Sequence, residues 1–134
     1  LAVLTMDGCL SSELYDKAHQ DLCLDRCGLD EIRKKAFYRV TPDYSISMLH
    51  EWRKDCTNIR YLAEATPDTA DYINGLLRMH AVDEIILYTV PFISGSGRHF
   101  FKSALPEQHW TLSSLKSYPN GVCRIIYILD KKAR

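Results

Sequence analysis

The stretch "DEIILYTVPFISGSGRHFF", residues 83–101, is the part of the sequence that decides the fold. Its first half is a run of aliphatic and aromatic residues that ends at Pro91, a pattern typical of a buried strand. A glycine-rich loop with Arg98 follows, and the chain then resumes with a short apolar segment. Such a loop either connects two strands or presents backbone N–H groups to an anionic ligand. We favour a structural hairpin in which the ligand contact is secondary.

The segments on either side predict the rest of the architecture. "LAVLTMDG", residues 1–8, predicts a buried strand that ends in a tight Asp-Gly turn. Helices are predicted over 44–56 and 68–80, and Asn120-Gly121 between two β-rich segments is a strong hairpin signal. Helices and strands alternate first, and antiparallel strands finish the chain. The sequence therefore predicts one α/β domain over 1–134, with a mixed central sheet flanked by helices and ending in an antiparallel hairpin.

Composition excludes several classes of partner. The 134 residues are 46% hydrophobic and 25% charged, and the 17 basic and 17 acidic residues cancel. A neutral chain without a basic block predicts no nucleic-acid partner. Its apolar runs are too short to cross a bilayer, so no membrane partner is predicted. No export signal is recognised, and a cytoplasmic location is expected.

The cysteines raise the question of a metal site. Their number is five, which is odd, and free thiols in a reducing compartment are expected. His19, Cys23 and Cys27 lie four residues apart and could share one helix face, where they could bind a metal. Thiols packed on an apolar helix face are the simpler interpretation, because no fourth ligand follows at a standard spacing. The prediction is therefore no metal.

Three motifs carry a resemblance to a known family. "LAEATPDTADYINGLLRMHAVDEIILYTVP" gives a strand ending in Glu64, a helix, and Val-Asp-Glu before an apolar strand ending in Pro. "ISGSGRHFF" is a glycine-Arg-Phe loop, and "LKSYPNGVCRIIY" is a closing hairpin. From Asn58 to Tyr127 this order resembles the pyrimidine reductase domain of the riboflavin pathway, which has the dihydrofolate reductase fold. "LTMDGCLS" resembles the first strand of that family, whose Asp-Gly turn opens the active site.

The resemblance implies a homodimeric, NADPH-dependent reductase of a pyrimidine- or pterin-like small molecule. It implies Asp7 and Glu64 as the catalytic residues, since a carboxylate or an ordered water would deliver the proton. Substrate contacts are implied at the strand ends, namely at Thr5, Asp7, Gly8 and Glu64. Cofactor contacts are implied at the start of the second helix and in the glycine loop, namely at Ala65, Thr66, Gly95, Ser96, Gly97 and Arg98.

Departures from the family keep two alternatives open. Thr66 stands where the family has glycine, Cys9 stands where it has Lys or Arg, and its "Gly-Arg-x-Thr" segment is not found between Ser11 and Asn58. The chain is then either a shortened, non-catalytic relative or one whose middle loop lies outside this sequence. A phosphatase of the haloacid dehalogenase type is a distant third, because no second Asp follows Asp7 by two residues. Asp7 could also serve only the turn, and Glu64 could be an exposed strand end.

Overall fold

The computed structural model describes residues 1–10, 27–36, 38–55, 60–91, 93, 95, 98–102 and 105–130. The strands in these ranges are β1 (Ala2–Leu4), β2 (Cys9–Leu10), β3 (Tyr38–Val40), β4 (Tyr61–Ala63), β5 (Glu84–Thr89), β6 (Arg98–His99), β7 (Trp110–Ser117) and β8 (Cys123–Leu129). The helices are α1 (Leu29–Lys35), α2 (Ile46–Asp55) and α3 (Ala70–Arg78). The two predicted helices and the closing hairpin are present, with ends within two residues of the predicted bounds.

A four-stranded sheet in the order β1-β5-β8-β7 forms the centre of the fold. β1 runs parallel to β5, with Leu4 opposite Thr89, and β8 runs antiparallel to both β5 and β7. The parallel pair β3–β4 continues this sheet through Leu1. The Leu1 nitrogen donates to the Ala63 carbonyl at 2.9 Å, and the Ala65 N–H donates to the Leu1 carbonyl at 2.8 Å. This is the bonding of a parallel ladder with Leu1 opposite Glu64. The predicted mixed α/β sheet is confirmed.

Both faces of the sheet are covered by helices. On one face α1 contributes Leu29 to a buried cluster with Val3, Tyr88 and Val122. On the other face α3 contributes Ile73 and Leu76, and Ile46 and Leu49 of α2 pack beside them. The alternation of side chains along β1 explains the division, because Val3 points to the first cluster and its neighbours Ala2 and Leu4 point to the second.

The closing hairpin turns where the sequence predicted it. The Tyr118 N–H donates to the Val122 carbonyl at 2.9 Å, and the Gly121 N–H donates back to the Tyr118 carbonyl at 3.0 Å. Gly121 has φ 89°, and a β-carbon there would lie 3.2 Å from Cγ of Pro91. A glycine therefore suits this position both for its backbone angle and for the close packing of the turn on Pro91.

The interpretation of the glycine loop as a hairpin is wrong. β6 pairs antiparallel with β2, with Cys9 opposite His99, whereas β5 lies between β1 and β8 in the main sheet. β5 ends at Thr89, and Pro91 has no N–H to continue the ladder. The chain therefore leaves the sheet after β5 and crosses to the turn that follows β1.

Candidate active site at the end of β1

The Asp7-Gly8 turn is held together by the side chain of Thr5. Thr5 is only 4% exposed, and its Oγ1 donates to Oδ1 of Asp7 and accepts the Cys9 N–H at 3.0 Å. The Thr5 backbone exchanges further bonds with the turn, because its carbonyl accepts the Gly8 N–H at 3.0 Å. Gly8 has φ 76°, a left-handed angle that glycine adopts without strain. Asp7 is thus presented at the tip of a rigid turn.

The same turn is bonded to the glycine-rich loop and to the segment after it. Oδ2 of Asp7 accepts the Gly95 N–H at 3.0 Å, and the Gly8 carbonyl accepts the Phe100 N–H at 3.0 Å. These contacts lie beyond the carboxyl ends of β1 and β5, which is where α/β sheets bind ligands. The structure therefore brings together Thr5, Asp7, Gly8 and Gly95, four of the predicted site residues.

Cys9 adds a thiol to this cluster. It is buried, and its Sγ lies 4.0 Å from Nδ1 of His99. Burial and the neighbouring Asp7 carboxylate raise the pKa of the Cys9 thiol. The group therefore stays a protonated thiol at neutral pH and lacks the thiolate character that a nucleophilic cysteine needs.

Glu64 lies in a different environment. Its carboxylate accepts two hydrogen bonds from the Arg33 guanidinium of α1, one of them from Nε at 3.3 Å, and Arg39 of β3 approaches it to 3.6 Å. The Glu64 side chain is 17% exposed, so these contacts are partly desolvated. Two arginines around one carboxylate offset its charge, and the paired N–H groups of Arg33 fix its orientation.

The strand register places the two predicted catalytic carboxylates far apart along the sheet. Leu1 lies opposite Glu64 in the sheet, and Thr5 lies four residues further along the same strand direction. At about 3.3 Å per residue this places Thr5 roughly 13 Å beyond Glu64, and Asp7 follows Thr5 at the tip of its turn. The strand register therefore separates the two residues, although both follow the end of a strand.

The predicted cofactor contacts at Ala65 and Thr66 lie before α3. Ala65 is 1% exposed and packs in the core with Ala2. The Thr66 N–H donates to Oγ1 of Thr69 at 2.8 Å, and the Thr66 carbonyl accepts the N–H groups of Thr69 and Ala70. The turn that precedes α3 thus satisfies its own polar groups.

The loop residues are described only in part. Gly95 has φ 72°, and a β-carbon built there would meet nothing within 4 Å, so the space beside it is open. Arg98 begins β6. Ser96 and Gly97 lie outside the described residues, and their predicted contacts stay predictions.

The described residues also bear on metals, thiols and membranes. Cys9, Cys27 and Cys123 are free thiols, and no group of three potential metal ligands occurs among the described side chains. Cys27 is buried in the core, whereas His19 and Cys23, the other members of the predicted spacing, lie outside the described ranges. Within the ranges described, no helix is long and apolar enough to span a bilayer.

Two residues that shape the site were not predicted. Arg33 binds a carboxylate 31 residues away, and no local pattern indicates such a partner. Asn74 is fully buried on α3 between apolar neighbours. A polar residue within an apolar helical stripe is a signal that the sequence did carry, since a buried amide requires hydrogen-bond partners.

Comparison with known proteins supports the fold. No protein-family model matches the sequence, and no curated protein matches it. Among solved structures, a protein from Shewanella sp. PV-4, provisionally assigned to riboflavin biosynthesis, superposes with a TM-score of 0.52 and 12% identity over 97% of this chain and 73% of its own. RibD from Acinetobacter baumannii gives a TM-score of 0.47 and 19% identity over 63% of this chain.

Length separates the chain from the RibD structures. The match spans 24% of the RibD chain, about a quarter of its length. The likeness to the Shewanella protein is one of fold at low identity and covers nearly the whole chain. The chain therefore has the mixed α/β, dihydrofolate reductase-like fold that its motifs predicted, and its structural neighbours are riboflavin-biosynthesis proteins.

Proposed function

We propose that this chain is an NADPH-dependent reductase of a pyrimidine- or pterin-like substrate, with its site at the Asp7 turn. The observation that carries the proposal is the Asp7 carboxylate, held by the Thr5 hydroxyl and the Gly95 N–H at the carboxyl ends of two parallel strands. Both of these donors are neutral groups. The fold shared with a riboflavin-biosynthesis structure gives this position its chemical context.

The chain's own groups would orient and protonate a flat heterocycle. A carboxylate oxygen that already accepts one hydrogen bond has a second lone pair, which can accept a ring N–H or amino group of a pyrimidine. Asp7 is the candidate group for holding a proton near the reacting ring, directly or through a water. The nicotinamide would supply the hydride, and the protein would supply orientation and polar contacts.

The two predicted parts of the cofactor site fit a dinucleotide unequally. The open space beside Gly95 can admit a phosphate or a ribose close to the backbone. The start of α3 is less suitable, because the Thr66 N–H is already bonded to Thr69 and Asp71 lies in the first turn of the helix. A second anion there would meet a like charge. We therefore place the proposed cofactor contacts at Gly95, Ser96, Gly97 and Arg98 rather than at Ala65 and Thr66.

A non-catalytic relative that binds a ligand without reducing it is the second candidate. The observation that favours it is Glu64, whose charge is taken up by Arg33 and Arg39 instead of facing the Asp7 turn. In this case Asp7 would bind a heterocycle and no cofactor would bind. The two candidates differ in one measurable property, the affinity for a nicotinamide dinucleotide.

Isothermal titration calorimetry with NADPH and NADH, each to millimolar concentration, separates the candidates. Saturable heat with either nucleotide supports the reductase, and oxidation of the bound nucleotide is then followed at 340 nm with pyrimidine and pterin substrates. Asp7→Asn should lower kcat/KM about 100-fold or more. Asp43→Asn is the matched control, since Thr41 and Asp43 form the same Thr-x-Asp hydrogen bond at an exposed position. No heat with either nucleotide rejects the reductase and favours the binding module.

The predicted homodimer forms part of the proposal. β7 is the edge of the main sheet, and its Leu112 and Leu115 are 51% and 62% exposed. An uncovered edge strand with exposed leucines favours association with a second copy. Light scattering at micromolar concentration should give about twice the chain mass of 15.4 kDa. A single species at the chain mass rejects the dimer.

A further inference from the structure

We propose that Asn74, a fully buried residue of α3, is a positioning residue that sets the geometry of the Asp7 turn without contacting it. Its connection to the site is a short series of hydrogen bonds through Phe100. The functional consequence rests on the proposed function, whereas the positioning itself can be measured on the protein without any ligand.

The amide of Asn74 binds the backbone of the segment that follows β6. Its Nδ2 donates to the Phe100 carbonyl at 2.8 Å, and its Oδ1 accepts the Lys102 N–H at 3.0 Å. One side chain thus donates to the carbonyl of Phe100 and accepts the N–H of Lys102, two residues further along. A neighbouring β-strand would bond to the backbone of this segment in the same way. The second N–H of Nδ2 donates to the Ala70 carbonyl at 2.8 Å, so both amide hydrogens are bonded.

Phe100 passes this restraint to the turn. Its carbonyl is bound by Asn74, and its own N–H donates to the Gly8 carbonyl at 3.0 Å. Phe100 is 4% exposed and packs in the core, so its position is restrained by its neighbours. Gly8 follows Asp7 directly, and the position of the carboxylate therefore depends on where Phe100 is held.

Burial makes the amide hard to replace. Asn74 is 0% exposed and its bond to the Phe100 carbonyl is buried, so a substitution that removes the donor leaves that carbonyl without a partner. An apolar residue would pack more easily on α3 if the position served only the core. The amide is therefore explained by what it holds, the segment 100–102 and the turn bonded to it.

Amide hydrogen exchange on the wild-type protein gives the first test. The Lys102 N–H lies outside every strand and helix, yet its bond to a buried side chain should make it exchange as slowly as core amides of α3. Exchange of Lys102 at the rate of an exposed loop amide overturns the proposal. This measurement uses only the wild-type protein, so it does not depend on whether a variant folds.

Two substitutions give the second test. Asn74→Leu keeps the size but removes the amide, and Leu76→Ala, on the same helix, disturbs the core without touching these bonds. In Asn74→Leu the Phe100 amide, which bonds to Gly8 and not to Asn74, should exchange about tenfold faster than in the wild type, equivalent to about 1.4 kcal/mol. Amides of Leu87 and Ile126 in the central strands should change far less. In Leu76→Ala any change in exchange rate should be similar for the amides of Phe100, Leu87 and Ile126.

The same variants distinguish this proposal from the proposed function. If the Phe100 amide changes no more than those of Leu87 and Ile126, Asn74 acts only on overall stability and the positioning role is wrong. If the exchange pattern is as expected and the wild type binds no nicotinamide dinucleotide, the positioning role stands and the reductase proposal fails. If the wild type does bind, Asn74→Leu should weaken NADPH about tenfold, whereas Leu76→Ala should bind normally while it remains folded.

Discussion

Asp7 and Glu64 look alike in the sequence and differ in the structure. Each is an acidic residue that follows a short apolar strand, and each was predicted to be catalytic. Asp7 accepts hydrogen bonds from a threonine hydroxyl and a backbone N–H, whereas Glu64 accepts them from a guanidinium group and has a second arginine nearby. Neutral donors leave a carboxylate charged toward a ligand, and arginines neutralise it. The comparison teaches that the partner, and not the position at a strand end, decides what a carboxylate can do.

The largest effect is expected at Asp7. Asp7→Asn keeps the shape of the side chain but removes its charge and proton-transfer capacity, so kcat/KM should fall about 100-fold or more. The free energy of unfolding should change by about 1 kcal/mol, because the Asn amide can still accept the Gly95 N–H and donate to the Thr5 hydroxyl, although it loses the stronger bonding of a charged acceptor. Steady-state kinetics and urea unfolding check the two values. Unchanged kinetics would mean that Asp7 has only a structural role in the Asp7-Gly8 turn.

Glu64 should show the opposite pattern. Glu64→Gln should cost about 2 kcal/mol in the free energy of unfolding, since hydrogen bonds between charged groups contribute about 1.5–3 kcal/mol and this pair is only partly buried. Binding of the nucleotide should be unaffected. A double-mutant cycle with Arg33→Gln in urea should recover most of this energy as coupling between the two residues. Loss of turnover without loss of stability would restore Glu64 to the catalytic site.

Gly95 tests the loop side of the Asp7 site. Gly95→Ala should destabilise the protein by about 1 kcal/mol, because φ 72° is unfavourable for a residue with a β-carbon. No clash should add to this cost, since nothing lies within 4 Å of the added carbon. Gly95→Asn should be milder, because asparagine tolerates the left-handed region better. If both variants are equally destabilised by several kcal/mol, the space beside Gly95 is not open.

The smallest effect is expected at Arg39, and it sharpens the account of Glu64. The Arg39 side chain is 58% exposed and lies 3.6 Å from the carboxylate, whereas that of Arg33 is 24% exposed and makes two hydrogen bonds. Exposed ion pairs contribute about 0–1 kcal/mol, so Arg39→Gln should cost less than about 0.5 kcal/mol. Arg33→Gln, measured in the same urea series, should cost clearly more. Equal costs would mean that the two arginines share the carboxylate.

The turn that carries Asp7 could be predicted from local sequence, whereas the long-range contacts of Asp7 and Glu64 could not. The Thr5-Asp7-Gly8 turn depends on residues two or three apart, and an Asp-Gly pair at the end of an apolar strand is enough to indicate it. The contact of Asp7 with Gly95 spans 88 residues, and that of Glu64 with Arg33 spans 31. Contacts of such range depend on how elements pack, which local patterns do not encode.

The glycine loop shows the same limit within the fold. Its glycines and Pro91 correctly marked the end of a strand, yet the hairpin expected between β5 and β6 does not form. β6 pairs instead with β2, which lies about 90 residues earlier in the chain. The sequence indicates where a strand ends. Which strand the following segment pairs with depends on which strand edge the rest of the fold leaves unpaired.

The sequence by itself determined the α/β class, the two helices over the sheet, the closing hairpin and the Asp7 turn. These follow from hydrophobic periodicity and turn chemistry, which act between neighbouring residues. Only the tertiary structure decided that Leu1 lies opposite Glu64, that Arg33 neutralises this carboxylate, and that Asn74 holds Phe100 against Gly8. The physical reason is that register and helix packing are set by burial over the whole core. Two polar groups that are distant in the sequence come into contact only when the packing of that core has fixed the positions of their elements.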